Sequence, residues 1–148
     1  MNLDNTQEDK RKHLDLIQGV INRMASNSFL FKGWSITIIA GVAAFAAKEV
    51  SIILMVIPLV STLLFWGVDS YYLTQERLFR GLYEKVIKLS PSGINYEMKT
   101  DPMTFGKWFK SLWRPVLLAF YGTVVVMLIV LGAFLAGMQM SVSFNSAA

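Results

Sequence analysis

Residues 50–89 have the sequence VSIILMVIPLVSTLLFWGVDSYYLTQERLFRGLYEKVIKL, and this stretch decides the fold. Residues 50–68 are uncharged and long enough to cross a bilayer as a helix. Residues 69–89 are rich in charge, yet no Gly-Pro, Asn-Gly or serine-rich break separates the two parts. We therefore predict one continuous helix, kinked at Pro58, that begins in the membrane and extends into water. Its length would be about 60 Å at 1.5 Å per residue.

Two further apolar blocks, residues 32–48 and 115–138, accompany this stretch. The chain of 148 residues is 54% hydrophobic and only 16% charged, and the hydrophobic residues are concentrated in the three blocks. This composition is typical of an integral membrane protein and not of a soluble protein with a large core. The predicted fold is an all-α integral membrane protein with three transmembrane helices, of which the second is extended into a long cytoplasmic helix.

Residues 1–31 are predicted to form an N-terminal amphipathic helix. Ile17 and Ile21 recur at helical spacing and contribute to one apolar face. Gly19 and the Ser-Asn-Ser run at 26–28 weaken the helix and favour a break or a bend. Two interpretations remain open: the apolar face packs on a neighbouring element, or the helix lies in the cytoplasmic headgroup layer.

The predicted organisation divides the chain into six segments. They are an N-terminal cytoplasmic or interfacial helix at 1–31, a first span at 32–48, the second span with its cytoplasmic extension at 50–89, a cytoplasmic connector with an interfacial helix at 90–114, a third span at 115–138 and an outward-facing tail at 139–148. Within the connector, Asp101 and Pro102 resemble an N-cap and a first-turn proline, so the interfacial helix is predicted to begin there.

Lys and Arg are distributed asymmetrically along the chain. Residues 1–32 hold five, the turn between the first two spans holds one at Lys48, residues 69–114 hold eight, and the C-terminal tail holds none. By the positive-inside rule, we expect the N-terminus and the central segment in the cytoplasm and the C-terminus outside.

Small residues mark faces for close helix packing in the first and third spans. The candidate residues for oligomer and helix packing are Gly33, Thr37, Gly41, Ala44, Gly132, Ala136 and Gly137. The cytoplasmic part of the second helix carries an apolar stripe that needs a cover, supplied by the N-terminal helix, a neighbouring copy or both. This stripe, which we call the collar, consists of Leu78, Phe79, Leu82, Tyr83 and Val86.

Aromatic and polar residues lie at the boundaries of the spans, where amphipathic side chains prefer to sit. The candidate interfacial residues are Trp66, Asp69, Trp108 and Trp113. Asp69 has two interpretations, a capping or paired group at the interface and the lining of an aqueous path. In an assembly that surrounds a path, the candidate axis-lining residues are Asn22, Asn27, Ser35 and Thr37.

Catalytic, cofactor and metal chemistry is not expected. His13 is the only histidine, there are no cysteines, and the chain lacks phosphate-binding glycine loops and common hydrolase motifs. The apolar blocks hold no ionisable residue in their interiors, which disfavours a proton relay. The basic residues that give the net charge of +4 lie beside the spans. Their position is explained by membrane topology and by attraction to lipid headgroups, so we expect membrane lipid and not nucleic acid as the partner. We predict no enzymatic activity.

Two motifs carry a resemblance to a known family. An LIQ-x-VI-x-RM helix leads through Lys-Gly-Trp into the first span, and Asp-x-Tyr-Tyr-Leu followed by Glu-Arg-x-x-Arg ends the second. In this pattern residues 13–88 resemble the RipA family of small bacterial inner-membrane proteins, described as octameric. The resemblance implies a homo-oligomer in the bacterial cytoplasmic membrane. It gives no indication of which biochemical activity the protein has.

Two functions are consistent with a homo-oligomeric ring that has a helical cytoplasmic collar. In the first, the ring is a channel or pore-like assembly that conducts ions or small solutes. In the second, it is a non-conducting membrane scaffold or accessory subunit that recruits an unidentified cytoplasmic protein or lipid.

Overall fold

The computed structural model describes residues 3–49, 51 and 53–147 of the chain. Every regular element in this described part is helical. In chain order the elements are α1 (Leu3–Lys48), a 3-10 turn (Ile53–Met55), α2 (Val56–Lys88), a second 3-10 turn (Pro91–Gly93), α3 (Phe105–Leu112) and α4 (Pro115–Ala147). Three of the helices are long and apolar enough to cross a membrane, over Thr6–Lys48, Ile53–Lys88 and Pro115–Ser141. The predicted all-α class with three apolar helices of membrane-spanning length is confirmed.

The first helix, α1, runs without interruption through Gly19 and through residues 26–28. The break predicted there is wrong, and the reason is energetic. An interior glycine costs about 1 kcal/mol relative to alanine. Burying one isoleucine side chain contributes about 1.5–3 kcal/mol, and Ile17 and Ile21, on either side of the glycine, are 0% and 2% exposed. Burial therefore outweighs the local helix propensity.

The second helix, α2, begins at Val56, later than the predicted start at residue 50; residues 50 and 52 lie outside the described residues. Pro58 is the third residue of α2. The N–H groups of a first helical turn have no intrahelical acceptor, so a proline there removes no helical hydrogen bond. Pro58 therefore lies at the start of the helix and not at a kink in its middle. The helix continues past Asp69 into the charged part and ends at Lys88.

The short helix α3 begins at Phe105 and not at Asp101, where the sequence pattern placed its cap. Thr104 is the residue that caps it, because its Oγ1 accepts a hydrogen bond from the Lys107 amide at 3.4 Å. The carboxylate of Asp101 instead forms an ion pair with Lys85 Nζ at 2.8 Å. Asp101 thus contacts α2, and Thr104, which directly precedes the first residue of α3, caps that helix.

The last helix, α4, begins at Pro115, a position where the missing N–H costs nothing. It extends to Ala147 and so includes residues that were predicted as a polar tail from 139 onward. The Ser141 hydroxyl donates to the Met138 carbonyl at 2.8 Å, so this polar side chain is satisfied on the helix itself.

The chain forms two compact units. The first comprises the chain up to Phe29 together with Ser70–Ser111, and the second comprises Leu30–Asp69 together with the chain from Leu112 onward. In the first unit, Ile17 and Ile21 of α1 pack against Val86 of α2. Partly buried side chains surround this core, namely Leu14, Phe79, Leu82, Tyr83, Ile94 and Met98. In the second unit a core cluster of buried apolar residues consists of Ile39, Ala43, Ala46, Met55, Leu128 and Leu135.

Candidate functional site

A buried ion pair joins α1 and α2 in the second unit. Lys32 Nζ lies 2.5 Å from Asp69 Oδ2, and the Asp69 side chain is 0% exposed while that of Lys32 is 18% exposed. An isolated charge in such surroundings would carry a large desolvation cost, which an opposite charge at contact distance offsets. Ionisable residues between apolar helices are costly to bury and commonly have a function, so this pair is a candidate functional site.

Two polar residues complete the surroundings of this pair. Tyr121 of α4 is fully buried, and Asp69 and Ser35 are polar groups close to its hydroxyl. Its hydroxyl makes no hydrogen bond of good geometry with the described residues. The Ser35 hydroxyl donates to the Lys32 carbonyl one turn earlier, at 2.8 Å. We call Lys32, Ser35, Asp69 and Tyr121 the polar clamp.

Trp66 packs against the polar clamp through Tyr121. Its ring stacks on that of Tyr121, with 5.9 Å between centroids and 12° between planes. Its indole Nε1 donates to the Leu112 carbonyl at 3.1 Å, just ahead of α4. An aromatic pair of this geometry contributes about 0.5–1.5 kcal/mol beyond its burial. The clamp thus ties α1, α2 and the start of α4 together inside the second unit.

The polar clamp joins its helices through an ion pair, a stacked aromatic pair and a side-chain-to-backbone hydrogen bond. It contains no serine or cysteine nucleophile next to a histidine base. Among the described residues there is also no group of three His, Cys, Asp or Glu side chains that could hold a metal ion. The Asp69 carboxylate is paired with Lys32 and is buried, as in the paired-group interpretation.

The small-residue face of the first span is unused within the chain. Gly33, Thr37, Gly41 and Ala44 are all exposed. A Cβ added at either glycine would meet no atom within 4 Å. The Thr37 hydroxyl is satisfied on its own helix, where it donates to the Gly33 carbonyl at 3.1 Å. The buried side of the same helix segment consists instead of Ser35, Ile39, Ala43 and Ala46.

The corresponding residues of α4 are partly used. Gly132 and Ala136 are half-buried, and Gly137 is exposed. A Cβ at either glycine would again meet no atom within 4 Å. The close backbone approach that small-xxx-small patterns permit is therefore not made inside the single chain at these glycines.

The four candidate axis-lining residues do not share one surface. Ser35 is fully buried while Thr37 is exposed, because residues two apart lie about 200° apart around a helix with 3.6 residues per turn. The placement of Ser35 and Thr37 on one axis therefore does not hold. In the first unit, Asn22 is exposed and accepts a hydrogen bond from Gln18 Nε2 at 3.1 Å, and Asn27 is half-buried.

The collar is covered from within the chain. Val86 is buried against Ile17 and Ile21 of α1, and Phe79, Leu82 and Tyr83 pack around this contact. Leu78 is half-buried. Of the three covers that the sequence left open, the N-terminal helix is the one observed.

The candidate interfacial tryptophans of the connector differ from each other. Trp113 is 61% exposed, and Trp108 is half-buried beside Phe105, with 5.4 Å between ring centroids. The carbonyl of Trp108 accepts a hydrogen bond from the Ser70 hydroxyl at 2.8 Å. A second bond, from Thr74 to the Ser111 hydroxyl at 2.9 Å, also joins α2 to α3. Sequence analysis did not predict these two hydrogen bonds. The signal for them in the sequence is the i,i+4 spacing of Ser70 and Thr74.

The single histidine has a structural role in the first unit. His13 is 1% exposed, and its Nε2 lies 3.2 Å from the Glu97 carbonyl. Because a carbonyl oxygen can only accept, Nε2 carries the proton in this contact. The His13 ring also lies 5.5 Å from that of Tyr96, whose hydroxyl donates to Asp9 at 2.8 Å. These contacts fasten the connector to α1.

No family model, curated protein or solved structure matches the chain. The resemblance to the RipA family therefore depends on the motif residues alone, and Asp69 and Lys32 belong to those motifs.

Proposed function

We propose that this protein is a homo-oligomeric component of the bacterial cytoplasmic membrane. Its three apolar helices cross the bilayer, with the N-terminus and the connector inside and the C-terminus outside. The second span continues into the cytoplasm as the charged part of α2, and residues before Phe29 form the amphipathic helix that covers the collar. The distribution of Lys and Arg supports this orientation, and the packing of Ile17 and Ile21 on Val86 supports the cover.

The observation that carries the proposal is the exposed small-residue face of α1. Gly33, Thr37, Gly41 and Ala44 are exposed along several turns, and a Cβ at either glycine meets no atom of the described residues within 4 Å. In lipid, helices gain no hydrophobic energy by meeting each other, so close backbone packing between small residues is what drives their association. A second copy of α1 satisfies this requirement.

Of the two functional classes, the polar side chains favour a non-conducting scaffold. Ser35, Thr62 and Asp69 are fully buried inside the second unit. The exposed hydroxyls of Thr37 and Thr123 donate to their own helix, at 3.1 Å and 2.6 Å. A water-filled path needs polar groups or a hydrophobic gate along its wall. We infer that the assembly recruits a cytoplasmic protein or lipid, and that a pore, lined by Thr37, is the second candidate.

The mass of the purified particle tests the proposal first. We expect native mass spectrometry in detergent or nanodiscs to give one discrete homo-oligomer, with eight copies as the number that the family resemblance implies. A monomer would contradict the proposal. Reconstitution into liposomes then separates the two functions. We expect ion flux equal to that of protein-free liposomes for a scaffold, and stable conductance would select the pore instead.

A further inference from the structure

An apolar groove runs between α1 and α4 in the second unit. Its volume is about 840 Å³, and small side chains make room for it, namely Ala40 and Ala43 on α1 and Ala119 on α4. Lys32 lies at one end of the lining. The only other polar side chain in the lining, Thr123, donates its hydroxyl to the Ala119 carbonyl and so presents a methyl-bearing side chain without a free donor.

We propose that this groove binds one acyl chain of an anionic phospholipid, with the phosphate beside Lys32. The proposal rests on the proposed membrane insertion and names lipid as the partner of the scaffold. The dimensions fit this occupant. From Val116 to Leu131, the lining of α4 spans about 22 Å at 1.5 Å per residue. One leaflet has about 15 Å of hydrocarbon, half of the bilayer core, so the groove accommodates a chain through the whole leaflet.

The charge at the end of the groove selects the headgroup. Lys32 and Arg114, which precedes α4 by one residue, are both basic, and Asp69 is the acidic partner of Lys32. Arg114 stands two positions before Val116, which lines the groove, and from this placement we infer a net positive charge at this end. An ammonium group has three N–H donors, so a lysine that binds a carboxylate can also donate to a phosphate. An anionic phospholipid therefore complements this end better than a zwitterionic one.

A second copy of the chain is the competing occupant, and helix geometry separates the two. Ile36, Ala40 and Ala43 line the groove, while Gly33 and Gly41 lie on the small-residue face. At 3.6 residues per turn, the two sets are centred about 90° apart around α1. Copies that associate through the small-residue face leave the groove open to lipid.

Native mass spectrometry of the full chain from nanodiscs of mixed phosphatidylglycerol and phosphatidylcholine tests the proposal. We expect phosphatidylglycerol to remain bound to the wild type. Ala119→Leu fills the groove and should reduce the retained lipid several-fold. Ala133→Leu makes the same change at an exposed position of α4 outside the groove and should retain lipid like the wild type. Arg114→Gln should abolish the preference for phosphatidylglycerol without removing lipid.

Three outcomes would overturn the proposal. One is equal lipid retention by Ala119→Leu and the wild type, and another is a wild type that releases all lipid. The third is an Ala119→Cys variant that forms disulfides between copies, which would place a second copy in the groove. The same spectra give the number of copies. Loss of lipid from an intact oligomer therefore contradicts the lipid site alone, whereas a monomer contradicts the proposed function.

Discussion

At the scale of single residues, the ion pair between Lys32 and Asp69 is the most consequential contact. Asp69→Asn removes one charge and leaves Lys32 without its counter-ion. Breaking a buried pair by removing one partner typically costs 3–5 kcal/mol, because an uncompensated charge stays buried. We therefore expect Asp69→Asn to lower the free energy of unfolding in detergent micelles by about this amount. A denaturation series followed by circular dichroism measures the change.

The matched control for this prediction removes both charges. The double variant Lys32→Met, Asp69→Asn leaves no unpaired charge, and replacing a buried pair by neutral groups is often neutral. We expect it to be more stable than either single variant. A double variant whose loss equals the sum of the two single losses would show that the two side chains do not interact.

Tyr121 offers a second test, because its ring and its hydroxyl have different environments. The ring is buried and stacked on Trp66, while the hydroxyl makes no hydrogen bond of good geometry with the described residues. Removing an unsatisfied buried hydroxyl costs little, whereas truncating a buried aromatic ring typically costs 3–5 kcal/mol. We expect Tyr121→Phe to unfold at the wild-type denaturant concentration and Tyr121→Ala well below it. A large loss in Tyr121→Phe would reveal a hydrogen bond to Ser35 or Asp69.

The sequence identified Asp69 as an unusual residue, but it did not show that Asp69 contacts Lys32. Asp69 was identifiable as a carboxylate at the end of a span, and pairing was one of its two interpretations. A lysine at the end of a short span, such as Lys32, commonly extends its ammonium group to the headgroups, so its position alone does not indicate a buried pair. The partners are 37 positions apart, and only the packing of α1 on α2 brings them together.

At the scale of elements, the exposed face of α1 predicts an effect on assembly without a loss of stability. A Cβ at Gly41 meets no atom of the described residues, and an interior helix glycine costs about 1 kcal/mol, so Gly41→Leu should not destabilise the single chain and should raise its thermal stability slightly. It should block close approach between copies and shift the particle toward monomer. Size-exclusion chromatography with light scattering measures this shift. Gly122→Leu is the control, since its Cβ also meets nothing and it lies outside the predicted packing residues.

The ion pair between Lys85 of α2 and Asp101 of the connector leads to a prediction about the pKa of Asp101. The hydrogen bond from Lys85, and then its charge, lowers the pKa of Asp101. A carboxylate with a lowered pKa in the folded state stabilises above its ordinary pKa, near 3.9, and this stabilisation is lost as the pH falls through the lowered value. Lys85→Met should therefore raise the pKa of Asp101 toward its ordinary value. Titration of the ¹³C-labelled carboxylate by NMR measures it, and an unchanged pKa would contradict the pairing.

The elements themselves were predictable where hydrophobic periodicity or proline chemistry is strong. The apolar blocks, the start of α4 at Pro115 and the continuation of α2 past Asp69 all follow from such signals. The start of α3 did not, because Asp101 and Thr104 are both competent caps and the sequence does not show that Thr104 accepts the bond from Lys107 while Asp101 pairs with Lys85. The continuity of α1 also depends on tertiary burial, which outweighs the glycine at position 19.

At the scale of the whole molecule, hydropathy was sufficient to predict three apolar helices of membrane-spanning length, but not the partners of the apolar stripes. The collar could have been covered by a neighbouring copy, and it is covered by α1 within the first unit. The small-residue face could have packed inside the chain, and it is exposed. A periodic pattern states that a face needs a partner, whereas the identity of the partner depends on chain connectivity and helix rotation. Within the described part of the single chain, the collar is therefore covered and the small-residue face is exposed.

Membrane orientation is the prediction that involves the entire chain, and the absence of cysteines makes it directly testable. Single variants Glu8→Cys, Glu49→Cys, Lys99→Cys and Ser141→Cys mark the four regions on either side of the spans. With the basic segments in the cytoplasm, a membrane-impermeant maleimide should label positions 49 and 141 in cells with a permeabilised outer membrane. Positions 8 and 99 should react only after the inner membrane is opened. Labelling of position 99 with the inner membrane intact would reverse the orientation, and equal labelling of all four would contradict the three spans.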